Sequence, residues 1–213
     1  NKQNFINTDF QNLKFKNYWA FWEGYKQEKG NTQVISDKFL DNNYKIVEFN
    51  DLRQLQIIWC TKLNKISNFF NFEGKFIRVE LQKYSRIIES ISLFKQNIVP
   101  AWEDPLNVEG GDLQIFFDDI QSKDQIDSIY KVVVQTVLSD DYPFINETNG
   151  VRFNDKTRDK QATKIRMEIW FNFNESNDGY AQKLENIQKF FEGLVGKHYK
   201  KISFTWVSHS HKK

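Results

Sequence analysis

Between Pro100 and Pro105 the chain places Trp102, Glu103 and Asp104. Each proline lacks a backbone donor and biases its predecessor away from helix, so the stretch is expected to be a loop. A tryptophan bound for the core has apolar neighbours. One held on a loop beside a carboxylate points to a binding group instead. The other chemistry-bearing residues are less promising. His198, His209 and His211 crowd the C-terminus, and His209-Ser210-His211 lacks the partnering cysteines or carboxylates of a closed metal site. These histidines are expected to be solvated, and no metal or cofactor is expected. Cys60 follows a tryptophan with no local base, which suits a small buried residue better than a nucleophile. The glycines of "EGGD" match no phosphate-binding fingerprint. Asp118 and Asp119 read as a solvated turn rather than an acid–base pair. No enzyme constellation emerges.

The elements that must position Trp102 belong to one α+β domain spanning residues 1–213, with helices interspersed in a largely antiparallel sheet. A chain of 213 residues, 39% hydrophobic and 27% charged, can bury a full core. Its single cysteine excludes a disulfide framework and fits a reducing compartment, so a cytoplasmic protein is expected. No membrane span or signal-like start is visible, and the opening Asn1 suggests that a segment precedes it. Residues 1–15 are expected to be flexible or extended. A net charge of +2 does not announce a nucleic-acid binder, although local placement still could.

Aromatic and β-branched content predicts strands at 17–25 and 44–49. A helical stripe runs from Asp51 to about Ile66 through Leu52, Leu55, Trp59 and Leu63, with Asn50 or Asp51 as N-cap. Residues 69–90 read as a strand or loop followed by a short helix. A strand is expected at 112–119, entered through Gly110 and Gly111, and a helix at 124–139. Strands at 149–155 and 164–173 form a hairpin around a basic loop. The spacing of Leu184, Ile187, Phe191 and Leu194 predicts a helix at 180–194, and a strand at 200–209 closes the chain. Trp19, Trp22 and Trp206 are assigned to the core.

The stretch "LFKQNIVPAWEDPLNVEGGDLQIFF" resembles the signature of the mRNA cap-binding proteins of the translation initiation factor 4E family. There a Trp-Glu pair follows a proline and precedes a double glycine and a strand. "NYWAFW", Trp59, "KIRMEIW" and "WVSH" resemble other parts of that family in the same order. The resemblance implies a curved, largely antiparallel sheet with about three helices on its convex face. It also implies binding of the 7-methylguanosine cap, for recruitment or repression of mRNA in translation initiation.

The residues suit that ligand. A 7-methylguanine base is flat and cationic, and each aromatic face against it contributes roughly 1–3 kcal/mol. Glu103 can accept from the adjacent N1–H and amino groups of guanine. Trp102 is one stacking face. The resemblance makes Phe39 the other, with Tyr44 as the alternative, and puts Trp170 near the base's methyl group. Strand alternation sets Trp170 with Lys164 and Arg166, away from Ile165, Met167 and Ile169. Lys156, Arg158, Lys160, Lys164 and Arg166 are candidate phosphate ligands, unless this hairpin is simply a solvated turn.

Leu55 and Trp59 match the family's surface for scaffold or repressor proteins carrying a Tyr-x-x-x-x-Leu-hydrophobic helix. The competing reading is core packing. Departures from the pattern are Lys131 and Ser139 near that surface, and Asp112 and Leu113 after the double glycine. Asp112 is expected to repel the cap phosphates. A diverged family member that has lost cap binding and serves as a subunit of a larger assembly is the alternative. A protein monomeric by itself, without membrane attachment, is expected.

Overall fold

The computed structural model describes residues 13–27, 42–61, 63, 66–72, 76–78, 80–81, 86–118, 120, 122–156 and 164–210. Strand β1 (Lys14–Gln27) leads to β2 (Asn43–Asp51) and helix α1 (Leu52–Trp59). Three short strands follow, β3 (Phe70–Phe72), β4 (Phe76–Arg78) and β5 (Glu80–Leu81), and then the long β6 (Arg86–Lys95). The rest of the chain alternates β7 (Gly111–Asp118), α2 (Lys123–Leu138), β8 (Thr148–Asp155), β9 (Lys164–Phe171), α3 (Tyr180–Val195) and β10 (Ile202–Ser208).

The curved main sheet has the order β10-β7-β9-β8-β6-β1-β2, with β5 paired to β6 outside that path. Every pairing between neighbours is antiparallel. Alternation divides each strand between two faces. On one face Ile165, Met167 and Ile169 of β9 meet Leu113 and Ile115 of β7 and Val151 and Phe153 of β8. The three helices cover this face with Ile58 of α1, Ile126, Val133 and Val137 of α2, and Ile187, Phe191 and Val195 of α3. The spacing read in the sequence for α2 and α3 is the spacing that is buried.

Three local expectations fail. Asp51 caps α1 as expected, accepting from the Gln54 N–H at 2.7 Å, but the helix ends at Trp59 rather than near Ile66. The Thr61 N–H and hydroxyl both donate to the Ile58 carbonyl, at 2.9 and 2.5 Å, so local bonds replace the next helical turn. Cys60 caps this end and is exposed, not buried. Leu63 and Ile66 remain buried by another route. A 3-10 turn (Ile66–Phe69) docks on α2, where the Ser67 N–H and hydroxyl donate to the two Asp127 oxygens at 3.0 and 2.7 Å.

The short helix expected within 69–90 is not found among the described residues. Strand β3 pairs with β4, and β6 runs between β1 and β8. The Phe and Ile content of this stretch favours strand once neighbouring strands are available to pair.

Candidate functional site

On the face without helices, register assembles three transverse rows. Trp22, Ser92, Arg152, Glu168 and Gln114 are successive cross-strand partners from β1 to β7. Beside them run Gly24, Ser90, Asn154 and Arg166. On the other side run Ala20, Phe94, Gly150, Trp170 and Asp112. A cavity of about 310 Å³ opens over these rows, with Trp102, Tyr25, Glu89 and Lys156 among its walls.

The loop carrying Trp102 is a built turn. The Asp104 carboxylate accepts from the Val99 and Leu106 N–H groups at 2.7 and 2.9 Å. The Asn107 amide donates to the Val99 and Ala101 carbonyls, both at 2.9 Å. Gly110 and Gly111 let the turn close on the sheet. A Cβ at Gly110 would meet the Phe171 carbonyl at 2.0 Å, and one at Gly111 the Trp206 ring at 2.3 Å. With Asp104 buried in these bonds, Trp102 is left half-buried against the cluster of Ala20, Trp22, Phe94, Ile98 and Trp170. Oε2 of Glu103 is shielded from solvent and has no partner among the described residues. An acceptor in that condition is costly unless a donor arrives.

Trp170 lies on the face that alternation predicted, as a buried floor, 3% exposed. Its ring N–H donates to Glu168 at 3.1 Å, Phe94 meets it edge-on, and the Arg152 guanidinium sits 5.1 Å from its ring. Glu168 also accepts from the Asn154 amide at 2.6 Å and pairs with Arg166. Burial pulls the Arg152 guanidinium below the ordinary arginine value, with Glu168 opposing. Burial likewise pulls the Lys156 ammonium down, against Glu89 at 3.6 Å. Lys156 and Arg166, both candidate phosphate ligands, reach the cavity already paired with a carboxylate.

His209 overturns the expectation of solvated histidines, being fully buried. Its ring nitrogens lie 2.8 Å from the Asn107 carbonyl and 2.8 Å from an Asp112 oxygen. The ring is thus held from both sides, by a backbone carbonyl and a carboxylate. The other Asp112 oxygen accepts from Gln114 at 2.7 Å. Asp112 lines the cavity, and its side chain is buried and held by His209 and Gln114.

Phe39, Arg158, Lys160 and the Lys164 side chain lie outside the described residues. Tyr44 is 41% exposed on β2, edge-on to Tyr25; of the two, Tyr25 is the one that lines the cavity. Sequence reasoning missed Tyr25, Glu89, Gln114, Arg152, Asn154 and Glu168. The signal was there for two of them, since Arg152 and Asn154 alternate with the apolar Val151 and Phe153.

The sequence model of the family described as eukaryotic initiation factor 4E matches residues 14–213. The chain belongs to the eukaryotic initiation factor 4E family. Solved structures of the family share the fold at low identity. Caenorhabditis elegans eIF4E-3 in complex with the 4E-binding protein Mextli and cap analog is 16% identical, with a TM-score of 0.63, covering 94% of each chain. Ascaris suum eIF4E-3 with m7G cap is 14% identical, with a TM-score of 0.61, covering 92% of this chain and 91% of that one. Schistosome eIF4E complexed with m7GpppG and 4E-BP is 14% identical, with a TM-score of 0.62, covering 94% and 92%. Among curated proteins, none matches this sequence significantly.

On the helix side of this 4E-family fold, Leu55 and Trp59 are both half-buried and pack on the core. The Trp59 ring stacks on Tyr130, with centroids 5.9 Å apart and planes within 2°. Tyr130 in turn donates from its hydroxyl to the Leu63 carbonyl at 2.8 Å. Ile57, on the same helix, is 64% exposed. Lys131 and Ser139 are half-buried on α2 and at its end. No described helix is long and apolar enough to cross a membrane.

Proposed function

We propose that this protein binds the 7-methylguanosine cap of mRNA, for recruitment to translation initiation or its repression. The observation that carries this reading is the Trp102–Glu103 pair, an accessible aromatic face followed by a shielded carboxylate oxygen without a partner among the described residues. Guanine offers that oxygen two adjacent N–H donors, and the ring stacks on Trp102. In this reading Phe39 or Tyr44 supplies the second face and Trp170 lies toward the methyl group. Lys156, Arg158, Lys160, Lys164 and Arg166 take the phosphates, and each of the paired cations exchanges a carboxylate for a phosphate oxygen. Leu55 and Trp59 receive an amphipathic helix of the Tyr-x-x-x-x-Leu-hydrophobic type from a scaffold or repressor. The protein acts by binding, as a monomer in the cytoplasm.

One observation favours the second reading, a structural subunit without cap binding: the Lys156–Glu89 and Arg166–Glu168 pairs already neutralise two of the cavity's cations. Retention on immobilised 7-methyl-GTP separates the two. Cap binding predicts retention, release by free 7-methyl-GTP and no release by ATP, whose base offers Glu103 no such donor pair. A folded protein that flows through the resin, or is released equally by ATP, leaves the structural reading standing.

A further inference from the structure

A guanine stacked on Trp102, with its N1 and amino edge on Glu103, turns its N7 and O6 edge away from that carboxylate. The cavity's sheet floor holds Trp170 and Arg152 together with Asp112, Gln114, Asn154, Arg166 and Glu168; of these, Arg152 is the donor whose guanidinium lies against the Trp170 ring. Arg152 is held only loosely by its neighbours. Its Nη1 is 3.9 Å from Glu168, beyond hydrogen-bond reach, and its Nη2 reaches Asn43 only at 3.5 Å. Its Nε, like that of Arg166, is buried and without a partner among the described residues. The carboxylates nearby are engaged with other donors: Glu168 with Asn154, Arg166 and Trp170, Asp112 with His209 and Gln114, and Glu89 with Lys156.

Guanidinium donors and the N7 and O6 acceptors of guanine are a matched pair, a planar fork against two adjacent lone pairs. Methylation at N7 removes one acceptor and places a positive charge on the base. Next to a guanidinium, both changes count against binding.

We infer that Arg152 is a specificity-determining residue that relaxes the requirement for N7 methylation, so that the cavity accepts unmethylated guanine nucleotides alongside the methylated cap. The inference rests on the cap-binding reading, because it needs a guanine base on Trp102 and Glu103. Trp170 does not present a bare aromatic face to a methyl cation; a protein cation already lies against it.

Calorimetric titration of the full chain with GTP and with 7-methyl-GTP tests this. The expected affinities lie within about tenfold of each other, and Arg152→Gln shifts the ratio toward 7-methyl-GTP by about tenfold. Two results overturn the inference while sparing cap binding. One is a preference for 7-methyl-GTP above roughly 100-fold in the parent protein. The other is a ratio that Arg152→Gln leaves unchanged. If neither nucleotide binds, the cap-binding reading has failed and the inference falls with it. Should Arg152→Gln not fold, the parent ratio still decides. Arg152→Lys, which keeps the charge but not the fork, should then weaken GTP more than 7-methyl-GTP.

Discussion

The two faces of the sheet draw on the same strands and meet opposite demands. Along β9, Ile165, Met167, Ile169 and Phe171 enter the core beneath the helices, while Arg166, Glu168 and Trp170 line or floor the open cavity. The apolar face is held by burial, which needs no particular partner. The cavity face is held by a network in which Glu168 alone gathers Asn154, Arg166 and Trp170. Loss of one member there strands the others. The comparison teaches that the helix face is robust to conservative change, while the cavity face depends on residue identity.

Substitutions on each side sharpen that contrast. The largest effect is expected from Glu168→Ala, which leaves the Arg166 guanidinium, the Asn154 amide and a buried indole N–H without their acceptor. A loss of about 3–5 kcal/mol in urea unfolding is expected. Met167→Ala, its neighbour on the other face, should cost about 2–4 kcal/mol through a cavity and leave ligand preference unchanged. An equal loss of ligand affinity in both variants would break the separation of faces. Trp59→Ala removes the stack on Tyr130, and a loss of about 1–2 kcal/mol is expected. In calorimetry it should also abolish binding of a Tyr-x-x-x-x-Leu-hydrophobic peptide while sparing nucleotide binding. The smallest effect is expected from Asp112→Asn, which keeps the shape but weakens the bond to His209, costing about 1 kcal/mol in the same unfolding assay. Asp112→Arg would force a guanidinium into the buried space beside the His209 ring. It is expected to destabilise the protein rather than strengthen phosphate binding.

What could be read from the sequence follows the same division. The apolar stripes of α2 and α3 and the alternation of β9 were legible because burial leaves a periodic trace. The Trp102 loop was legible through its two prolines. The end of α1 was not, because Thr61 competes for the Ile58 carbonyl inside a stripe that stays apolar through Leu63 and Ile66. His209 and Asp112 are 97 residues apart in the chain, and only the register of β10 on β7 brings that end of the chain to Asp112. For Arg152 only its alternation with Val151 and Phe153 was legible, which gives its face and not its role. Its role arises from standing between Ser92 and Glu168 in a row that forms only once the sheet is paired.

The most direct test of the central claim is a tryptophan-fluorescence titration with 7-methyl-GTP, comparing the parent chain with Glu103→Ala and Trp102→Leu. The account predicts quenching on binding in the parent. It predicts an affinity lower by about 10–100-fold in each variant, with unfolding midpoints little changed. Variants that bind as tightly as the parent would contradict it, and would place any nucleotide site away from Trp102 and Glu103.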